Sequence, residues 1–245
     1  MKIRGTIGSM KEKEFGGPIG QKYAEIDLIG REALDRAEIK PFEGFGENIK
    51  NRFIVALQFA PESEKVLETR VTSEVERIGR ESGIEFFLAG KDFPIHSTLG
   101  EGLYEGGDVP RREDIFREVH QDEKLKALTE RKRGERLIYK YLLLDKGNVM
   151  LTSVEIPEDV GKIREELAAI YAGHNLKPLR IENLLHVTVG RITKIPDGGA
   201  EQFREYKKKM IELRHRISED PLRLEVKKMS DGPSYEFLQG IQNKD

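Results

Sequence analysis

One structural unit occurs twice in this chain, and the repeat limits the folds that the chain can adopt. Each copy has the pattern of a strand, a Pro-Glu step, an amphipathic helix, a glycine and a second strand with a His-x-Thr motif. The first copy spans residues 53–99 and the second spans residues 149–189. Proline and glutamate suit the first turn of a helix, and glycine suits its end. The chain is therefore predicted to contain two similar halves that differ in loop length.

The repeat predicts an α+β protein with a bilobal, duplicated fold. Two antiparallel sheets are expected to flank a central cleft, with the helices outside. The lobes are predicted at about residues 51–145 and 146–245. The last element is predicted as a hairpin of two strands, at residues 222–228 and 234–240, because Asp-Gly-Pro between them is typical of a turn.

The first 50 residues differ from the rest of the chain. Residues 1–50 contain eight glycines and show no sustained periodicity. They are predicted to form a glycine-rich N-terminal arm with one short helix near residues 24–37, and the folded domain is predicted to be residues 51–245.

The two His-x-Thr motifs have the same predicted geometry. Side chains two positions apart on a strand lie on one face of the sheet. His96 therefore projects with Thr98, and His186 projects with Thr188. Their neighbours in each strand project to the opposite face, where the apolar ones point toward the helices. If the two halves are related by approximate two-fold symmetry, the histidines converge on one cleft.

This combination of side chains suits chemistry at phosphorus. One imidazole can accept a proton while the other donates one, and the unperturbed imidazole pKa predicts a rate maximum near about pH 6–7. The hydroxyls of Thr98 and Thr188 can donate hydrogen bonds to phosphate oxygens. A single such motif is usually structural, but two at matching positions of a repeat predict His96 and His186 as catalytic residues. No metal or cofactor is expected, since no acidic ligand cluster is evident and the chain has no cysteine.

The segments Ile95–Leu99 and Leu185–Val189 resemble the two motifs of the two-histidine (2H) phosphoesterase superfamily, which includes RNA 2′,5′-ligase-like proteins and cyclic phosphodiesterases. The resemblance covers about residues 51–240. It implies a site between two lobes and hydrolysis of 2′,3′-cyclic phosphates or related RNA ends. It also implies that Arg191 contacts phosphate, although strand parity puts Arg191 on the face away from His186 unless a bulge intervenes.

The chain departs from the family pattern at the first motif. Ser97 stands where an apolar residue is usual, and Gly100-Glu101-Gly102 lacks the aromatic residue that often follows. A carboxylate near a phosphate is unfavourable unless it points away. Tyr104 and Tyr139 are candidates for stacking on a base, with core packing as the alternative interpretation.

The composition of the chain limits its possible binding partners and its cellular location. The net charge of −2 excludes a protein that coats long nucleic acid by charge alone, but it permits a local basic cleft. The expected partners are RNA 3′ ends or small cyclic nucleotides, bound by a monomer. No apolar stretch suits a membrane span or a signal peptide, and with zero cysteines the cytoplasm is the expected location.

Three alternatives to a cyclic phosphodiesterase remain open from the residues. An RNA 2′,5′-ligase would run the same site in reverse. A non-catalytic module that binds RNA ends would not need both a proton donor and a proton acceptor. A metal-binding pair of histidines would need a third ligand, and the sequence offers none nearby.

Overall fold

The computed structural model describes residues 19–131, 134–179 and 184–239. The first 18 residues of the predicted arm lie outside the described residues. Within the described ranges the chain is a mixture of helices and antiparallel strands, so the general α+β prediction is confirmed. No helix in these ranges has both the length and the apolar character that crossing a bilayer requires.

The secondary structure alternates along most of the chain. The strands are β1 (Arg52–Phe59), β2 (Glu85–Leu88), β3 (His96–Leu103), β4 (Arg136–Asp145), β5 (Asn148–Ser153), β6 (Lys177–Pro178), β7 (His186–Lys194) and β8 (Leu222–Pro233). The helices are α1 (Gly20–Asp35), α2 (Pro61–Leu67), α3 (Ser73–Glu81), α4 (Val109–Gln121), α5 (Glu123–Thr129), α6 (Glu158–Gly173), α7 (Ala200–Glu219) and α8 (Ser234–Gln239). A 3₁₀ turn (Glu47–Asn51) precedes β1, and a π turn (Glu68–Thr72) joins α2 to α3.

The eight strands form one continuous order, β2-β7-β5-β4-β8-β1-β3-β6, and the neighbours are antiparallel. The long strand β8 is shared between the two sides. Residues 222–225 pair with β4, and residues 226–233 pair with β1. The predicted division into two separate sheets is therefore not confirmed, since β8 continues from one set of strands into the other.

The two motif strands contain the same irregularity. β3 pairs with β1 and β7 pairs with β5, and each pairing slips by one residue just after the threonine of the motif. The residue without a partner is Leu99 in β3 and Val189 in β7. A bulge of this kind interrupts the alternation of side chains, so residues beyond it change faces relative to the simple two-residue period.

Helix α1 packs onto the sheet, close to where its position was predicted. The carboxylate of Asp27 is fully buried and pairs with the buried guanidinium of Arg214 from α7. The same carboxylate accepts a hydrogen bond of 3.1 Å from the Leu144 amide. A Cβ built on Gly30 would lie 1.9 Å from the Leu144 carbonyl oxygen, so only glycine permits this approach of helix and strand.

The predicted C-terminal hairpin is wrong in its second strand. β8 does not turn at residues 231–233 because these residues continue the ladder with β1. The chain then forms α8, which packs against β1 and against the 3₁₀ turn before it. This helix brings its side chains next to the first motif.

Candidate active site

The two motif strands present their histidines and threonines as the alternation predicted. His96, Thr98, His186 and Thr188 are half-buried, and the residues between them are buried. In the described part of the chain neither threonine hydroxyl makes a hydrogen bond, so both hydroxyls can donate to a ligand. These four side chains form the polar face on which a phosphate binding site can be built.

The ring of His96 is fixed by a backbone carbonyl. Its Nδ1 lies 2.7 Å from the carbonyl oxygen of Pro94. A carbonyl oxygen only accepts hydrogen bonds, so Nδ1 carries a hydrogen and donates it, which leaves Nε2 available to a ligand. The edge of the ring packs against Phe237 of α8, with 5.1 Å between the ring centroids. The orientation of His96 is thus set before any ligand binds.

The two histidines share one electrostatic environment. Burial lowers the pKa of His96, and the charge of Arg191 lowers it further. Burial also lowers the pKa of His186, to about 4, and the charges of His96, Arg164 and Arg191 act in the same direction. Both imidazoles are therefore neutral near pH 7 in the free protein, within a positive field that favours an anion.

Arg191 lies on the same face as the histidines. The bulge at Val189 shifts the alternation of β7, so that Arg191 is half-buried while Gly190 and Ile192 are buried. The guanidinium donates a hydrogen bond of 3.0 Å to Asn148 Oδ1. The parity argument placed Arg191 on the far face, and the bulge reverses that result.

Ser97 connects the two motifs through a buried chain of hydrogen bonds. Its Oγ is 2.8 Å from the carbonyl oxygen of His186 and 2.8 Å from the hydroxyl of Tyr139. Serine has one hydrogen to donate and a carbonyl can only accept, so Ser97 donates to His186 and Tyr139 donates to Ser97. The polar residue in the first motif thus holds the backbone of the second motif.

The two tyrosines predicted to stack on a base do not line the site. Tyr139 is fully buried and its ring packs against Phe59, with the centroids 5.8 Å apart. Tyr104 is also buried, in the same apolar core, with its amide bonded to the Asn51 carbonyl. Neither ring has a free face for a base, and core packing, the alternative interpretation, describes both.

Two further side chains near the motifs were missed or misjudged from the sequence. Arg164 of α6 donates to the carbonyl oxygens of Leu99 (3.3 Å) and Leu184 (2.6 Å), which ties β3 to the chain just before β7. Glu101 pairs with Arg52 at 3.1 Å, so its charge is compensated. The pattern of apolar residues along α6 did not indicate that the Arg164 side chain points toward the motif strands.

The three other histidines have different surroundings. His120 pairs with Asp231 at 2.6 Å, His174 pairs with Asp122 at 2.8 Å, and His215 is exposed on α7. Among the residues that the structure describes, no group of three or more histidine, aspartate or glutamate side chains is arranged to hold a metal ion.

Replacing Ser97 with alanine is expected to lower both stability and turnover, for separable reasons. The variant leaves the Tyr139 hydroxyl buried without a partner, which costs about 1–3 kcal/mol in the free energy of unfolding. It also removes the donor to the His186 carbonyl, and a small displacement of that histidine is expected to reduce kcat by roughly tenfold.

The double variant Ser97→Ala/Tyr139→Phe separates these effects. It should recover part of the lost stability, because both partners are then apolar, but it should not recover kcat. Denaturation curves and kcat for the three proteins provide the check. Recovery of kcat together with stability would show that Ser97 acts only through packing.

Comparison with known proteins gives solved structures but no sequence family. No family model and no curated protein matches the chain. A conserved protein of unknown function from Agrobacterium tumefaciens matches at a TM-score of 0.46 and 10% identity, over 82% of this chain and 93% of that one. Kluyveromyces marxianus Usb1 with uridine monophosphate matches at a TM-score of 0.40 and 14% identity, over 76% of this chain and 96% of that one. The MHV ns2 PDE domain matches at a TM-score of 0.37 and 12% identity, over 59% of this chain and 86% of that one.

These solved structures include a PDE domain and a protein named as a phosphoesterase. The chain is similar to them at TM-scores from 0.37 to 0.46.

Proposed function

We propose that this chain is a metal-independent phosphodiesterase that acts on 2′,3′-cyclic phosphate RNA ends or related nucleotide phosphodiesters. The observation that carries the proposal is the common face of His96, His186 and Arg191. Arg191 lowers the pKa of both histidines, so one cationic group acts on two proton-transfer groups at once. A phosphodiester anion bound beside Arg191 would lie within reach of both.

The surroundings of the two histidines support different roles in hydrolysis. The Pro94 carbonyl accepts a hydrogen bond from His96 and thereby favours its charged form, which suits the general acid. His186 is held in its neutral form by burial, by the charge that His96 carries when it is protonated, and by the charges of Arg164 and Arg191, which suits the general base. In this scheme His186 takes a proton from a water molecule while the oxygen of that water forms a bond to phosphorus. His96 then protonates the ester oxygen whose bond to phosphorus breaks.

Threonine hydroxyls and the arginine would stabilise the charge that develops on the phosphate. Thr98 and Thr188 each offer one donor, and Arg191 offers a guanidinium that fits phosphate oxygens in pairs. The positive field that lowers both histidine pKa values in the free protein is compensated when an anion binds. Binding of substrate therefore raises the proton affinity of the general acid when it is needed.

Phosphorus NMR of the protein with 2′,3′-cyclic nucleotides and with defined RNA ends, in the presence of EDTA, tests this function. We expect conversion of the cyclic phosphate to a monoester. Joining of a cyclic phosphate end to a hydroxyl end would instead identify a ligase, and binding without turnover would identify an RNA-end-binding module. Loss of turnover in EDTA that a divalent ion restores would contradict metal independence.

The pH dependence of kcat/KM should show a bell on the acid side of the ordinary imidazole range. The ascending limb follows deprotonation of the base and the descending limb follows deprotonation of the acid, and burial lowers both pKa values below the ordinary imidazole value of 6.5. The sequence-based expectation of about pH 6–7 thus moves to lower pH. The bell for kcat should lie at higher pH, because the bound phosphate favours imidazolium.

The variant Arg191→Met provides the control for this profile. Removing its charge should shift both limbs of the kcat/KM profile to higher pH and raise KM for the anionic substrate. A wild-type kcat/KM maximum at or above pH 7 would contradict a buried site flanked by cations.

We also infer that the duplicated halves act as lobes around the site, at about residues 51–145 and 146–245. The matching bulges in β3 and β7 support this duplication. A monomer in the cytoplasm remains the proposed state and location of the protein.

A further inference from the structure

A cavity of about 410 Å³ lies between the segment that precedes β1 and helix α8. Its walls come from three parts of the chain. The aromatic and acidic residues that line it are Glu43, Phe45, Glu47, Phe87, Asp92 and Tyr235. The volume falls within the range that small-molecule sites occupy. No predicted site residue lines this cavity.

Each wall of the cavity also reaches the candidate active site. The ring of Phe45 lies over the Arg191 guanidinium, with 5.6 Å from its centroid to Cζ. Phe87 is paired with Arg191 across β2 and β7. Helix α8 contacts the ring of His96 through Phe237. The cavity thus shares its walls with the surroundings of Arg191 and His96.

The wall before β1 is anchored on the motif strand. The amide of Phe42 donates a hydrogen bond of 2.7 Å to the Ile192 carbonyl of β7. The rings of Phe42 and Phe45 contact each other, with centroids 5.0 Å apart, and both lie against Arg191. The turn between them runs through Gly44 at φ +108°, a conformation that favours glycine. The segment is therefore built to hold Phe45 at this position.

Aromatic faces and carboxylates together define what the cavity suits. Phe45, Phe87 and Tyr235 contribute rings, and Tyr235 is 41% exposed. Three carboxylates line the cavity with one lysine, Lys50, and that lysine is bonded to Glu47. Asp92 accepts from the Leu88 amide, and Glu43 has no ion pair among the described residues. A phosphate would be repelled here, whereas a flat ring with N–H donors is favoured.

We infer that this cavity binds the nucleobase next to the reacting phosphate. The base stacks on Phe45 and Tyr235, and a carboxylate of the rim, Glu43, accepts from an exocyclic amino group. This inference rests on the proposed function, because it takes the substrate phosphate to lie beside Arg191 and the histidines. It gives the segment before β1 a role in substrate binding.

Calorimetric binding of nucleoside 3′-monophosphates, compared with the same ribose phosphate without a base, tests this inference without requiring turnover. The variants are Phe45→Leu, which keeps apolar volume but removes the aromatic face, Phe45→Tyr, which keeps the face, and Tyr235→Ala at an exposed position. In the wild type the base should strengthen binding about tenfold or more, in line with the stacking energy of one base.

Phe45→Leu and Tyr235→Ala should each lose most of that gain, while Phe45→Tyr should keep it. Binding of the abasic compound should change less than about twofold in Phe45→Tyr and Tyr235→Ala, whose substitutions leave a ring over Arg191. Glu43→Gln should weaken the bases that bear amino groups more than uracil. The inference fails if the base adds nothing in the wild type, or if the gain survives in both Phe45→Leu and Tyr235→Ala. A base-dependent gain in binding without turnover of any cyclic phosphate would overturn the proposed function and leave the base site standing.

Discussion

Replacing His96 or His186 with alanine is expected to lower kcat/KM on a 2′,3′-cyclic nucleotide by about 10²–10⁴-fold. Each variant removes one of the two proton-transfer groups, and the remaining one cannot serve as both acid and base in the same step. The double variant should be little worse than either single variant, because groups that act in one mechanism are not additive. The measurement is kcat/KM for wild type, both single variants and the double variant.

The control is a third histidine of the same chain. His215 is exposed on α7, so His215→Ala should leave kcat/KM unchanged. Thr98→Val and Thr188→Val should be milder than the histidine variants, since each removes one donor to phosphate but no proton transfer. Melting temperatures identify variants that are merely unfolded. Folded His96→Ala and His186→Ala proteins with near-wild-type turnover would exclude the catalytic interpretation.

Replacing Asp27 with alanine is expected to lower the free energy of unfolding by about 3–5 kcal/mol. Asp27 is 0% exposed and Arg214, its partner, is 1% exposed. Loss of the carboxylate would remove the Asp27 charge from the buried guanidinium of Arg214 and from Arg31, so much of the desolvation cost of the buried charge would no longer be offset. The Leu144 amide would lose its acceptor as well. Chemical denaturation of the two proteins measures the difference.

Two further variants serve as controls for the effect of Asp27→Ala on stability. Glu32→Ala breaks the exposed pair with Arg36 on the same helix, and it should change stability by no more than about 0.5 kcal/mol. Asp27→Leu/Arg214→Met removes both buried charges and should recover much of the loss. If Asp27→Ala were as mild as Glu32→Ala, α1 would be a loosely attached part of the arm.

The local rules of strand and helix accounted for much of the candidate site. The repeat and the alternation of side chains were sufficient to predict that His96 shares a face with Thr98, and that His186 shares one with Thr188. These relations depend only on the alternation of side chains along a strand, which is set by residues close in sequence. A helix in the first 50 residues was also predicted, near residues 24–37, and the helix in the structure spans Gly20–Asp35.

Relations between distant strands were not accessible in this way. Arg191 reaches the histidine face because of a bulge at Val189, and the bulge exists only in the pairing with β5. Tyr139 donates to Ser97 across 42 positions, so its burial could not be inferred from its own neighbours. The predicted hairpin at the end of the chain failed for the same reason, because β8 continues its pairing with β1.

By itself the sequence determined the two motifs, the residues that share a face and the kind of proton transfer that they permit. Only the tertiary structure decided that Arg191 joins them, that Ser97 holds the second motif, and that the segment before β1 walls a cavity beside them. The physical reason is the range of the interactions. Side-chain direction along a strand follows from local backbone geometry, whereas bulges, buried hydrogen bonds and cavities arise where segments far apart in sequence pack together.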